Sequence, residues 1–354
     1  MRKLLLLAAG VLFVLGSNAY AFHDFGVADC QGCHTMHNSQ NNQLVDPNSP
    51  NGNPWLLKDA TPSDVCLSCH GASASRGVFS ADPLAPGPLQ GGGDFVFLLE
   101  DNLNDGHGGA TNPIPGNRAG HNIVAPSRGV AADGTVLSAP GGTYASSMLG
   151  CSSCHDPHGN TNFRLLYGVG TIQDGAYTFT NAAPLAAGIT LSSSSVETNT
   201  NHTAYLSGMS AWCGNCHGDY HNNNTKLIHP SGSTLGGTIA GIYNRYNGTL
   251  DQSGGVQATA YLAQVPFEDD NNTVSSTVGP TASSRVMCLT CHRAHATSAA
   301  DAGRWDFQVT LMNEDGLESG SYVIANPYGG ASNNSQRSLC NKCHNKDVND
   351  EIFP

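Results

Sequence analysis

The stretch CSSCHDPHG, Cys151 to Gly159, holds two thiols separated by two residues, an imidazole directly after the second, and another at His158. The C-x-x-C-H part recurs as CQGCH at Cys30, CLSCH at Cys66, CGNCH at Cys213, CLTCH at Cys288 and CNKCH at Cys340. The six copies use all twelve cysteines, and every C-x-x-C has its histidine. Thiols at this spacing can add to the two vinyl groups on one edge of a porphyrin. The residue that follows then lies under the ring, where its imidazole can bind iron. Structural zinc also uses C-x-x-C, but pairs two knuckles within about 20 residues. Here successive motifs start 36, 85, 62, 75 and 52 residues apart. Redox disulfides use C-x-x-C once per domain and require no histidine. The pattern therefore predicts six covalent haems, on Cys30 and Cys33, Cys66 and Cys69, Cys151 and Cys154, Cys213 and Cys216, Cys288 and Cys291, and Cys340 and Cys343. Their proximal iron ligands are His34, His70, His155, His217, His292 and His344.

The N-terminus carries Arg2 and Lys3, an apolar run from Leu4 to Leu15, and Ala19-Tyr20-Ala21, an A-x-A site. Residues 1–21 read as a secretory signal peptide. The run is too short to span a bilayer comfortably. The mature part, 22–354, is expected to be one exported domain. Its composition does not suit an ordinary core: 12% charged residues, 7% aromatics, 42 glycines and 18 prolines. Stretches such as APGPLQGGGDF, GHGGATNPIPGNRAG and SSSSVETNTN are turn and loop chemistry. Haem plates tied by thioethers and iron bonds can replace secondary structure as the staple. The expected fold is that of a multihaem c-type cytochrome: mostly irregular coil, short helices at the motifs and very little sheet, wrapped around a continuous haem stack. GGTIAGIYNRY and GVQATAYLAQVPF are the better helix candidates, and no internal repeat is legible beyond the haem motif. The net charge of −12 excludes a basic nucleic-acid-binding surface.

Nine histidines remain for the opposite faces of the irons. His37, His158, His221 and His295 follow a motif closely, as in CHTMH, CHDPH, CHGDYH and CHRAH. Side chains three or four apart lie on one side of a helical turn. The second imidazole therefore cannot reach over the plate to its own iron, but can reach another haem. CHxxH reads as a coupler of two haems, with His221, at spacing four, in reserve. His23, His121 and His229 complete the distal set, and His23 is expected to close the first iron. His107 and His202 look like loop histidines, and Met36, Met148, Met209 and Met287 are displaced by the histidine surplus.

Several segments carry a resemblance: FHDFGVADCQGCHTMHNS, GHNIVAP, APGGTY, CSSCHDPHG, GMSAWCGNCHGDYHN, GGTIAGIYNRY, CLTCHRAHA and CNKCHNKD. In this order they resemble the hexahaem outer-membrane cytochrome S family of metal-reducing bacteria, whose members polymerise into conductive extracellular filaments. The resemblance spans nearly the whole mature chain. It implies bis-histidine haems in a continuous chain and identical subunits joined head to tail. It also implies that one haem takes its distal ligand from the next subunit: His37, serving the haem on Cys288, Cys291 and His292. The implied role is electron carriage, not enzyme catalysis, from periplasmic or outer-membrane cytochromes to extracellular acceptors. A monomeric periplasmic shuttle shares the same haem chemistry. A multihaem redox enzyme would need an open iron position.

Overall fold

Regular structure gathers at the cysteine motifs. The computed structural model describes residues 30–72, 77–82, 91–99, 118–173, 177–189, 196–221, 229–249, 251–305 and 339–344, with the strand pair 103–104 and 113–114 and residues 307 and 328. The 1–21 segment, His23 and His107 lie outside the described residues. Single helical turns occupy Cys30–Cys33, Cys151–Cys154 and Cys288–Cys291. Longer helices, Pro62–His70 and Met209–Cys213, lead into the second and fourth motifs, and a 3-10 turn, Leu339–Lys342, carries the sixth.

Local chemistry explains these turns. Thr61 Oγ1 accepts the Asp64 N–H at 3.1 Å, and Pro62 takes the first helical position, where no N–H is needed. Ser153 Oγ accepts the Gly150 N–H at 2.9 Å, and Thr290 Oγ1 accepts the Met287 N–H at 3.1 Å. One helical turn places both thiols of a motif on the same edge. It also closes on the histidine: the His34, His155, His217, His292 and His344 N–H groups donate to Cys30, Cys151, Cys213, Cys288 and Cys340 carbonyls at 2.9–3.0 Å.

Away from the motifs the longest helix is Gly236–Arg245, over GGTIAGIYNRY as expected. GVQATAYLAQVPF is not helical. Only Gln257–Thr259 turns, as a 3-10 helix. Beyond it the backbone bonds to distant partners: Tyr261 N–H to Thr277 O at 3.0 Å, Leu262 N–H to Tyr243 Oη at 3.1 Å and Ala263 N–H to Asn199 Oδ1 at 2.9 Å. Pro266 also disfavours helical backbone at Val265. Sheet is limited to four two-stranded antiparallel pairs among the described residues, the longest joining Leu185–Ala187 to Ala204–Ser207.

The buried apolar residues form separate islands rather than one core, and each touches motif cysteines. Leu67, Phe95, Phe97 and Ile123 pack with Cys151. Tyr243, Tyr261, Phe267 and Trp305 pack with Cys291 and Cys343. Tyr144, Tyr167 and Phe179 meet Cys216, and Tyr205, Met209 and Met287 meet Cys213. A domain with its own core shows one contiguous cluster. Lys342, inside the sixth motif, is 2% exposed. Its Nζ donates to the Tyr243, Tyr246 and Ala260 carbonyls at 2.8, 3.2 and 3.2 Å and lies 4.2 Å from the Tyr243 ring. This ties the sixth motif to the Gly236–Arg245 helix.

Candidate haem sites

The first, third and fifth motifs are built alike, a repeat that sequence reading did not find. In each, the histidine after the second cysteine donates through Nδ1–H to a backbone carbonyl: His34 to Trp55 at 2.8 Å, His155 to Arg164 at 2.7 Å and His292 to Asp301 at 2.8 Å. The accepting residue and its successor take left-handed backbone, with φ of 53° and 58° at Trp55 and Leu56, 54° and 57° at Arg164 and Leu165, and 59° and 55° at Asp301 and Ala302. The chain then returns to the motif: Lys58, Tyr167 and Arg304 N–H groups donate to Cys33, Cys154 and Cys291 carbonyls at 2.9, 3.0 and 2.7 Å. Left-handed backbone at such residues is uncommon and costs on the order of 1–3 kcal/mol where it is strained. It recurs here because it aims a carbonyl at an imidazole nitrogen. With Nδ1 occupied, the tautomer and ring orientation are set and Nε2 is left for a metal.

These are also the three CHxxH motifs, and their second histidines fall into register. His158, from the third motif, lies opposite His34 of the first: ring centroids 6.4 Å apart, planes within 9°. His158 Nδ1 is engaged by Gln173 Oε1 at 3.2 Å. His23, expected to close the first iron, lies outside the described residues, and the described imidazole that faces His34 is His158. His295, from the fifth motif, lies close enough to His155 of the third for their charges to interact. His37 is exposed. Beside His292 stands the ring of Phe307, with centroids 5.3 Å apart. Among the described residues no imidazole faces His292 as His158 faces His34.

The fourth and sixth motifs have loop histidines opposite theirs. His121 and His217 centroids are 5.9 Å apart, and both Nδ1 atoms are tied to carbonyls, Ala294 at 2.6 Å and Pro140 at 2.8 Å. His229 and His344 are 6.0 Å apart. An iron held between two imidazoles by bonds of about 2 Å puts the ring centroids roughly 6 Å apart. The three facing pairs meet that requirement, so the residues fit a bis-imidazole haem iron. Burial pushes His217 down to about 4 and His295 down to about 3, and also lowers His155 and His292. These rings are neutral at pH 7, the form that binds metal.

Two remaining histidines behave otherwise. His221 Nδ1 meets Ser231 Oγ at 3.1 Å. His202 is no surface-loop residue. It is fully buried, stacked on Tyr261 at 3.8 Å, with Nδ1 on the Thr203 carbonyl at 3.1 Å and Nε2 on the Ser276 carbonyl at 2.9 Å. Both nitrogens are used, so His202 has none to offer a metal.

The thiols form an alternating series along the chain. The second cysteines of the first and second motifs, Cys33 and Cys69, lie within electrostatic reach, as do Cys154 and Cys216, and Cys291 and Cys343. Between these couples, first cysteines meet in hydrogen-bond contact: Cys66 with Cys151 and Cys213 with Cys288. A serine buttresses each such junction, the Cys151 N–H donating to Ser63 Oγ at 3.2 Å and the Cys288 N–H to Ser210 Oγ at 3.1 Å. Burial raises Cys154, Cys291 and Cys343 to about 12. Among the described residues no three His, Cys, Asp or Glu side chains converge as a cage for a lone ion.

Cysteine pairs on helical turns, each followed by an imidazole, with three of those imidazoles facing a second one, define a multihaem c-type cytochrome. Residues 23–75 match the family described as the doubled CXXCH motif. The chain is 36% identical to C-type cytochrome OmcS of Geobacter sulfurreducens, over 98% of this chain and 99% of that protein. It therefore belongs to the OmcS family of c-type cytochromes. Two solved structures are also similar, each with a TM-score of 0.76 and 33% identity over 92% of this chain and 100% of theirs: the OmcS nanowires and the Outer Membrane Cytochrome S filament of Geobacter sulfurreducens, the former by cryo-EM. Among the described residues no helix is long and apolar enough to cross a membrane.

Proposed function

We propose that the chain is the subunit of an extracellular electron-conducting filament that carries six bis-histidine haems. In this reading each C-x-x-C-H turn binds one haem covalently, and residues 1–21 are removed on export. Electrons pass between closely spaced irons, whose potentials the protein sets through ligation, burial and hydrogen bonding. The chain is a carrier, with no iron position left open to a substrate. Upstream it would meet other exported cytochromes, and downstream extracellular acceptors.

The register of the CHxxH imidazoles carries the proposal. His158 of the third motif faces His34 of the first. His295 of the fifth lies by His155 of the third. Each second histidine thus serves the iron two motifs earlier. Applied to the first motif, the same step leaves the chain: His37 has no motif two places earlier except the fifth of another copy. In the fifth motif the ring beside His292 among the described residues is that of Phe307. His37 of one subunit therefore ligates the iron of His292 in the next. Such a contact is heterologous and builds an open filament when the rotation does not close. The alternating thiol series extends in the same sense, from the sixth motif of one copy to the first of the next.

The loop histidines follow a second register. His121 and His229 each precede an odd-numbered motif and face the histidine of the even-numbered one after it, His217 and His344. His23 precedes the first motif and is accordingly assigned to His70, in the second. Each subunit is then three two-haem units, the first of which coincides with the doubled motif at 23–75.

Two measurements test this reading. Mass spectrometry of exported protein should give the chain from Phe22 plus six haems, and electron microscopy should show filaments. Fewer haems in fully matured protein, or only monomers at every concentration, would reject it. His158→Ala should convert one haem to high spin while all thioethers stay in place, and that haem should be the one on Cys30 and Cys33. A wholly low-spin spectrum from this variant would exclude the register.

A further inference from the structure

The ring of His158 is held differently from its counterparts. Nδ1–H of His34, His121, His155, His217 and His292 donates to a backbone carbonyl, each at 2.6–2.8 Å. His158 Nδ1 meets a side chain instead, Gln173 Oε1, at 3.2 Å. With His158 Nε2 left for the iron above His34, Nδ1 carries the proton and donates it to the amide oxygen. A backbone carbonyl is fixed by the fold, whereas an amide oxygen is set by the choice of one residue.

The third motif brings Gln173 to this position. The Tyr167 N–H donates to the Cys154 carbonyl at 3.0 Å, and Tyr167 Oη accepts the Gln173 N–H at 3.2 Å. Ile172, 2% exposed, anchors the hairpin, with its N–H on the Tyr177 carbonyl at 3.0 Å. Thr171 and Gln173, on either side of it, are exposed. His158 is also held without Gln173, because its backbone N–H donates to Asp156 Oδ1 at 2.9 Å.

We propose that Gln173 is a positioning residue that lowers the reduction potential of the haem on Cys30, Cys33 and His34 through its bond to His158. This rests on the reading that His158 closes that iron. An acceptor at Nδ1 makes Nε2 more basic. A more basic ligand favours the ferric over the ferrous state. The electron reaches the iron from its neighbour, and the Nδ1 proton stays on His158. His34 and His37 lie three residues apart, so the bond acts on the iron beside the proposed subunit junction.

Spectroelectrochemical titration of the exported holoprotein tests this, once mass and spectrum show six low-spin haems. Gln173→Leu removes the acceptor and should leave every haem low-spin while moving one component to higher potential. Gln173→Glu supplies a stronger acceptor and should move the same component to lower potential. Each shift should correspond to about a fivefold change in the oxidised-to-reduced ratio at fixed potential, or about 40 mV for one electron. Thr171→Glu places the same charge two residues away on the exposed surface, where solvent screens it, and should shift nothing. Packing damage would move the two Gln173 variants the same way. A common direction, no movement in either, or an equal shift from Thr171→Glu overturns the proposal. So does loss of low-spin iron in Gln173→Leu, which would make Gln173 a mere clamp for the ligand. If the leucine variant does not mature, the comparison of the two glutamate variants decides. The functional reading fails separately, since His158→Ala would then stay wholly low-spin.

Discussion

His37→Ala should leave six haems attached, make one of them high-spin, and abolish filaments or leave them short and fragile. On the proposed registers His121, His158, His229 and His295 have counterparts within one chain. His37 belongs to the first motif, and no motif lies two places before it in the chain. It is exposed, on a turn in which no residue from Cys30 to Cys33 is buried. The equivalent turns at Cys151–Cys154 and Cys288–Cys291 bury Ser153, and Leu289 and Thr290. Loss of one iron–imidazole bond per interface removes both an anchor and the continuity of the haem path. Absorbance reports the spin state and electron microscopy the filaments. Normal filaments with a fully low-spin spectrum would refute the subunit-bridging role. Restored filaments on adding imidazole would locate the effect in the vacant iron position rather than in the link between subunits, since free imidazole restores only the iron bond.

Replacing both Cys151 and Cys154 with Ala should cost the fold as well as one haem. The island of Leu67, Phe95, Phe97 and Ile123 packs against Cys151, and Cys154 is half-buried. Cys151 also forms the junction with the second motif through Cys66 and Ser63. Truncating one large buried side chain costs about 2–5 kcal/mol. A haem plate exceeds any side chain in apolar area, and whole domains are stable by only about 5–15 kcal/mol. The expected product is a chain that is degraded on export or cut rapidly by added protease. Limited proteolysis against wild type measures this. A compact, protease-resistant variant with one haem fewer would mean that the apolar islands hold together without the central plate.

Local chemistry was legible in the residue string, and distant chemistry was not. The Gly236–Arg245 helix could be read because its periodic apolar residues act over one or two turns. GVQATAYLAQVPF misled because its N–H groups bond to Thr277, Tyr243 and Asn199, which no local pattern announces. The repeat around the first, third and fifth motifs was hidden for a related reason. It is carried by backbone carbonyls of Trp55, Arg164 and Asp301, in left-handed turns that share geometry but not side-chain type. His202 reads like a loop histidine until the Thr203 and Ser276 carbonyls are seen to occupy both its nitrogens. Glu197 lies in a serine-rich stretch that looks solvated, yet two arginines from beyond residue 290 bury it.

The chain by itself determined its covalent chemistry: paired thiols one helical turn apart, an imidazole next in line, and too little apolar and charged residue to fold without a large prosthetic plate. It also determined that a CHxxH turn must look to two irons, since one turn cannot straddle its own plate. Only the tertiary structure decided which imidazole faces which. His34 meets His158, and His217 meets His121, across loops whose lengths carry no code for the pairing. The physical reason is reach. Thioether attachment and helical turns are set within about five residues, whereas a facing pair depends on how several turns stack together, and that stacking is a property of the whole chain.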